Sequence, residues 1–135
     1  MLHDIAVVLK QAFHLMLINT PAAGAGNVYL YRTSAFFAMG EGFQTAIDGN
    51  DAGKLFNKSY LLLSLTPGDH VLKVAPGGMA KDSELPIKVE AGKTSFYQYD
   101  FVTGPLANYF FIGSKIAPRE LEASISELKE LKSAK

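Results

Sequence analysis

The residues from Asn57 to Val74 read Asn-Lys-Ser-Tyr-Leu-Leu-Leu-Ser-Leu-Thr-Pro-Gly-Asp-His-Val-Leu-Lys-Val, and they decide the fold class. Two short apolar runs flank Thr66-Pro67-Gly68-Asp69, in which Pro67 and Gly68 suit the two central positions of a type II turn. A second turn signal, Asp48-Gly49-Asn50-Asp51, precedes this stretch. Asp-Gly between strands is a strong hairpin signal, so the chain is expected to form a small antiparallel β domain.

Composition limits both the size and the chemistry of the protein. The chain has 135 residues, of which 48% are hydrophobic and 19% charged, which suits one domain with a packed core. Lys plus Arg and Asp plus Glu number 13 each, so net charge gives no attraction to nucleic acid. The sequence contains no cysteine, which excludes disulfides, thiolate metal sites and cysteine nucleophiles.

The remaining β-like runs predict a sandwich. Alternating or aromatic-rich runs place strands at 27–32, 43–48, 54–56, 59–65, 69–75, 83–90, 94–102 and 108–116. Short turns join them, which favours an antiparallel β-sandwich over a βαβ arrangement. Pro86 cannot donate a ladder hydrogen bond, so the strand at 83–90 is expected at a sheet edge or with its Pro86 side turned to solvent.

The last part of the chain predicts an amphipathic helix over 118–133, with Pro118 at its first position. Leu121, Ile125, Leu128 and Leu131 recur at spacings of four, three and three and form one apolar stripe. Lys129 and Lys132 would then lie near the negative end of the helix dipole. We expect the stripe to pack on the outer face of a sheet, against Tyr29 or Tyr31, or against Tyr97 or Tyr99; the competing expectation is that it joins two chains or docks on a partner.

The N-terminal segment, residues 1–25, allows two interpretations. Residues 5–18 are strongly apolar, and Ala23-Gly24-Ala25 follows as a small-x-small cleavage pattern, which is typical of the end of a secretory signal peptide. Alternatively, Asp4 caps an amphipathic helix with Ile5, Leu9, Ala12 and Met16 on one side, and this helix packs on the domain. The run is too short and too interrupted for a secure transmembrane span.

The order of several motifs resembles a known family. Val-Tyr-Leu-Tyr-Arg at 28–32 is followed by the Asp48-Gly49 turn, Gly53-Lys54-Leu55, Ser59-Tyr60, the Pro67-Gly68-Asp69-His70 turn and Glu90-Ala91-Gly92-Lys93-Thr94. Over residues 27–132 this order resembles the DUF2846 family of small bacterial envelope proteins, many of them predicted lipoproteins. It is similar, more loosely, to PEGA-type surface-layer repeats.

The resemblance implies a transthyretin-like or prealbumin-like β-sandwich in the bacterial cell envelope, and it implies no catalytic residues. The expected organisation is an N-terminal segment at 1–25, a β-sandwich at 26–117 and a C-terminal helix at 118–135. Lipoprotein members carry a cysteine at the mature N-terminus, and this chain has none, so lipid attachment is not supported.

Candidate sites are few. Tyr29, Tyr31, Tyr97, Tyr99 and Tyr109 are the candidate ligand or partner contacts, because exposed aromatic surface usually marks an interface; ordinary sheet packing is the competing explanation. His3, His14 and His70 have no metal-ligand neighbour at i+2 to i+4, and His70 is expected to hydrogen-bond near its turn. Residues 48–51 lack the ligands of a calcium loop. No catalytic, cofactor or metal site is predicted.

The sequence therefore predicts a non-enzymatic, periplasmic envelope domain with a structural or binding role. Its partners would be another envelope protein or a second copy, reached through the C-terminal helix, with membrane association only through an uncleaved N-terminal segment. One alternative is a carrier of a small molecule, glycan or peptide, which needs a cavity between the sheets on the order of 300 Å³ or more. The other is a hydrolase, which needs a perturbed pair such as His70 with a carboxylate in a cleft.

Overall fold

The computed structural model describes residues 20–32, 42–77, 81–102, 113–129 and 131–133. Over these ranges the chain is mainly β, with a short helix near its C-terminus. In chain order the elements are β1 (Gly26–Arg32), β2 (Phe43–Ile47), β3 (Asn50–Leu55), β4 (Ser59–Leu65), β5 (Gly68–Ala75), β6 (Ser83–Val89), β7 (Thr94–Val102), β8 (Gly113–Arg119), α1 (Leu121–Leu128) and β9 (Lys132–Ser133).

The strands form two sheets that share one core. The first sheet has the order β8-β7-β1-β4-β9 and the second the order β3-β2-β5-β6. Alternate side chains of both sheets meet in one buried cluster, because successive residues of a strand point to opposite faces. This cluster includes Val28, Leu30, Leu61, Leu63, Tyr97, Tyr99 and Ile116 from the first sheet and Phe43, Leu55, Leu72, Val74, Ile87 and Val89 from the second.

The two turns that carried the sequence prediction are confirmed. Asp48 and Gly49 both have positive φ, 52° and 81°, which is the geometry of a two-residue type I′ hairpin turn. Gly68 has φ 125°, a conformation that a side chain would strain. The strand predicted at 54–56 was placed too late, because the tight turn lets Asn50 pair directly with Ile47 and β3 begins there.

The predicted sheet edge at Pro86 is confirmed, but the pairing is not wholly antiparallel. β6 is an edge strand of the second sheet. In the first sheet, β1 pairs with β7 and β4 pairs with β9 in parallel. The reason is that the turn after β6 carries the chain from one sheet to the other, so that β7 enters beside β1 in the same direction instead of returning as a hairpin.

The C-terminal boundaries differ from the prediction. The strand predicted at 108–116 lies at Gly113–Arg119, and the helix predicted over 118–133 spans only Leu121–Leu128. Pro118 is therefore a strand residue, opposite Tyr97, and not the first residue of the helix. β8 is an edge strand, where proline's missing N–H is tolerated. After α1 the chain pairs Lys132 and Ser133 with β4, whose edge offers backbone groups to hydrogen-bond, so Lys132 does not extend the helix.

Some predictions fall outside the described residues. These are the two interpretations of residues 5–18, the placement of Tyr109, and the part of the predicted last strand before Gly113. His3 and His14 also lie outside the described residues.

Candidate functional site

The outer face of the first sheet is covered by α1 and the residues after it. Tyr29, Tyr31 and Phe96 point away from the shared core and are buried, with exposed fractions of 5%, 0% and 5%. Tyr60, Leu62, Leu121, Leu128 and Leu131 pack against them. We call this set the helix-covered face. It confirms that the apolar stripe packs within the chain against Tyr29 and Tyr31.

Aromatic contacts organise the helix-covered face. The Tyr29 ring stacks on the Phe96 ring with centroids 5.5 Å apart and an interplanar angle of 15°. Tyr60 approaches the same tyrosine with a centroid separation of 5.7 Å and a tilt of 48°. Offset and tilted pairs of this kind contribute about 0.5–1.5 kcal/mol beyond the burial of their area.

A polar cluster ties α1 to the sheet at the end of β1. The Tyr31 hydroxyl donates to Glu127 Oε1 at 3.0 Å and lies 3.4 Å from Ser124 Oγ. Arg119 Nη2 donates to the same Glu127 oxygen at 2.8 Å. Burial raises the pKa of the Tyr31 hydroxyl above its ordinary value, and the hydrogen bond from Ser124 opposes that rise. The hydroxyl is therefore a neutral donor to the carboxylate.

Asp100 adds a second carboxyl group near this cluster. Partial desolvation raises its pKa most, the negative charge of Glu127 raises it further, and the Arg119 charge opposes both. At this end of the sheet, the Arg119 guanidinium therefore offsets part of the negative charge of the two carboxyl groups. The polar cluster itself joins α1 to β1 and β8.

A groove opens beside the helix-covered face. Its volume is about 560 Å³. It is lined by Thr20, Pro21, Gly92, Thr94, Ser95, Phe96, Tyr97, Pro118, Arg119 and Leu121. The lining combines apolar side chains with four hydroxyl-bearing residues, Thr20, Thr94, Ser95 and Tyr97, and with the cation of Arg119. The groove suits an amphiphilic segment better than a strongly charged one.

The candidate tyrosines are divided between two faces. Tyr29 and Tyr31 lie under the helix, whereas Tyr97 and Tyr99 point into the core between the sheets, with exposed fractions of 9% and 0%. They therefore do not form one exposed patch. The sequence did not predict this division, because both faces of β1 and β7 are apolar. Such strands show no alternation of apolar and polar residues that would distinguish the two faces. Of these four, only Tyr97 reaches the groove.

Arg32 is a buried charge that the sequence analysis did not single out. Only 2% of it is exposed, and its guanidinium lies over the Phe43 ring at 3.9 Å from the centroid. Its Nη1 donates to the Leu55 carbonyl oxygen at 3.2 Å. The Tyr99 ring meets the edge of the same Phe43 ring at 5.7 Å. The arrangement joins β1 to the second sheet; its position at the end of an apolar strand was the only signal available.

His70 hydrogen-bonds near its turn, as predicted, and it has a carboxylate neighbour. His70 Nδ1 lies 2.5 Å from Asp48 Oδ2, and Nε2 lies 2.7 Å from the Thr66 carbonyl oxygen. A shallow hollow of about 300 Å³ lies beside the pair. Both ring nitrogens face acceptors, so neither is free to take a proton from a substrate.

Within the described ranges, no three His, Asp or Glu side chains lie close enough together to hold a metal ion. Over those same ranges, no helix is long and apolar enough to cross a membrane.

Comparison with known proteins identifies the family. No curated protein matches the chain. A family model described as "Protein of unknown function (DUF2846)" matches residues 22–114, which is more than half of the chain and includes β1 to β7 of both sheets. The order of turns that suggested this family therefore lies almost wholly inside the matched region, and the chain belongs to the DUF2846 family.

Proposed function

We propose that this protein is a non-enzymatic domain of the bacterial cell envelope, with a transthyretin-like β-sandwich, that binds another envelope protein in the groove beside α1. The observation that carries the proposal is the contrast between the groove and the polar side chains around it. The groove is open and partly apolar. The ionisable side chains that could best serve in acid–base chemistry are Tyr31, Glu127 and His70. All three are hydrogen-bonded to other parts of the chain.

The alternatives find less support. A carrier needs a cavity between the sheets, whereas the groove and the hollow beside His70 both lie at the surface of the two-sheet core. A hydrolase built on His70 needs a free ring nitrogen and a nucleophile within reach. Its two nitrogens instead face Asp48 and Thr66.

The chemistry of the groove describes the expected partner. Phe96, Pro118 and Leu121 offer apolar contact, and Arg119 is 39% exposed in its side chain while bound to Glu127. We infer that the partner presents an extended amphiphilic segment with one or two apolar side chains and an acidic group. The apolar stripe of the helix is already packed on Tyr29 and Tyr31. A partner would therefore contact only the exposed side of the helix.

Export is part of the proposal. Ala22, Ala23 and Gly24 are exposed, and β1 begins directly afterwards at the buried Gly26. Cleavage after Ala25 would leave every described strand intact. It would also remove Thr20 and Pro21 from the wall of the groove and widen it.

We expect protein purified from its native host to begin at Gly26 and to fractionate with the periplasm. N-terminal sequencing of the periplasmic and cytoplasmic fractions measures both properties at once. Full-length protein found only in the cytoplasm would disprove export and would favour the packed-helix interpretation of residues 5–18.

Binding in the groove can be tested by incorporating a photo-crosslinking amino acid at single positions of the protein in living cells of the native host. At Thr94, in the groove, we expect one discrete crosslinked adduct; at Lys54, exposed on β3 of the other sheet, we expect none. Both variants must keep the melting temperature of the unmodified protein. Equal adducts at both positions, or none at Thr94, would contradict the groove as the binding site.

A further inference from the structure

His70 joins three segments at one end of the core. Its ring belongs to β5, Asp48 belongs to the turn between β2 and β3, and Thr66 belongs to the turn between β4 and β5. We call His70, Asp48 and Thr66 the His70 bridge. Asp48 is held in place independently, because its Oδ1 accepts from the Val71 N–H at 2.7 Å and its own N–H donates to the Val71 carbonyl oxygen at 2.9 Å.

The hydrogen-bonding partners determine the protonation state of the ring. A carboxylate oxygen and a backbone carbonyl oxygen can only accept hydrogen bonds. Both distances, 2.5 Å and 2.7 Å, are hydrogen-bond distances, so both ring nitrogens must carry a proton. Only the imidazolium form satisfies both partners. A neutral ring would place one nitrogen lone pair against an oxygen lone pair.

We infer that the His70 bridge is a pH-sensitive switch, which holds the two turns together when the ring is charged and releases one of them when it is neutral. The His70 side chain is 11% exposed, so most of its surface is in contact with other parts of the chain. The inference goes beyond the proposed binding function and does not depend on it, because the bridge lies in the second sheet and the groove beside the first.

The two carboxylates near the ring, Asp48 and Asp69, favour its charged form. Asp48 faces it from the turn before β3, Asp69 precedes it on β5, and Lys88 is the cross-strand partner of Asp69 on β6. The hydrogen bond to the Thr66 carbonyl raises the pKa of His70 most, the bond to Asp48 and the charges of Asp48 and Asp69 raise it further, and partial desolvation lowers it. The Val71 N–H and then His70 lower the pKa of Asp48.

These directions fix the sign of the pH dependence. A histidine whose pKa is higher in the folded chain stabilises the fold fully below its unfolded pKa, and this contribution is lost as pH rises through the folded pKa. The window therefore begins near 6.5, the ordinary histidine value, and extends upward. Asp48 behaves oppositely, and its contribution is lost only under strong acid, below the ordinary value of 3.8.

The first test is the ¹⁵N NMR spectrum of the His70 ring in the full chain, assigned by comparison with His70→Gln. We expect both nitrogens to show protonated shifts at pH 6.5 and the titration midpoint to lie above 6.5. A neutral ring at pH 6.5, or a midpoint at or below 6.5, would overturn the inference.

The second test is the melting temperature from pH 6 to pH 9. We expect the wild-type melting temperature to fall across this window and the His70→Gln curve to be flatter. Asp48→Asn is the matched control, because an amide keeps an oxygen for the Val71 N–H and asparagine tolerates the positive φ. It should lower the His70 midpoint. A wild-type curve with the same slope as His70→Gln would disprove the switch.

Discussion

Replacing Tyr31 by alanine is expected to cost about 3–5 kcal/mol of unfolding free energy, as removal of a buried aromatic ring from a packed site usually does. The Tyr31 side chain is fully buried on the helix-covered face. Its ring supports Leu121, Leu128 and Leu131 there, and its hydroxyl contacts Ser124 and Glu127 of α1. Both the apolar and the polar attachment of the helix are lost together. Chemical denaturation followed by circular dichroism measures the change.

Tyr31→Phe is the matched control, since it removes only the hydroxyl. Glu127 keeps its contact with Arg119, so we expect a loss of about 1.5 kcal/mol, typical of a hydrogen bond to a charged group. Limited proteolysis supplies a second measurement. Tyr31→Ala should speed cleavage within residues 120–133, whereas Tyr31→Phe should change it little. If the Tyr31→Ala variant were as stable as Tyr31→Phe, packing against the Tyr31 ring would not be what holds α1 on the sheet.

The sequence predicted most of the strands because their signals are local. Asp48-Gly49 and Pro67-Gly68 need only their own backbone conformations to turn the chain, and the structure has positive φ at Asp48, Gly49 and Gly68. Leu85, Ile87 and Val89 alternate clearly because β6 lies at an edge with one face in solvent. Local turn chemistry and one-sided burial are both visible in a single sequence.

The features of the fold that the sequence did not predict depend on contacts between segments that are distant in the chain. Proline is found both at helix starts and at sheet edges, and only the pairing of β8 with β7 selects the strand for Pro118. Likewise, α1 ends at Leu128 because Lys132 pairs with Ser59, which lies far away in the sequence. The same reasoning applies to the site. The stripe on α1 was visible, but the Tyr31–Glu127–Arg119 contacts and the burial of Arg32 required the arrangement of the sheets.

At Gly26 the start of β1 closely approaches the turn between β6 and β7, and this approach accounts for the lack of a side chain there. A Cβ atom built at Gly26 would lie 2.5 Å from Val89 Cγ1, 2.6 Å from the Glu90 carbonyl oxygen and 3.3 Å from the Lys93 carbonyl oxygen. Two of these neighbours are backbone atoms of the turn between β6 and β7. That turn is tied to the start of β1 by hydrogen bonds from Gly92 N to Ala25 O at 2.8 Å and from Asn27 N to Lys93 O at 2.9 Å.

We therefore expect Gly26→Ala to destabilise the fold by about 3 kcal/mol, at the upper end for overpacking a well-packed site. The added methyl group must push the turn away from β1, which stretches both hydrogen bonds. Gly42→Ala is the matched control. Its Cβ would come equally close to another group, 2.6 Å from Phe56 Cε1, but that ring is 42% exposed and can rotate away. We expect Gly42→Ala to cost less than 1 kcal/mol, about what a surface change usually costs. Equal losses in the two variants, measured by urea denaturation, would show that the approach of β1 to the β6–β7 turn is not what limits residue 26 to glycine.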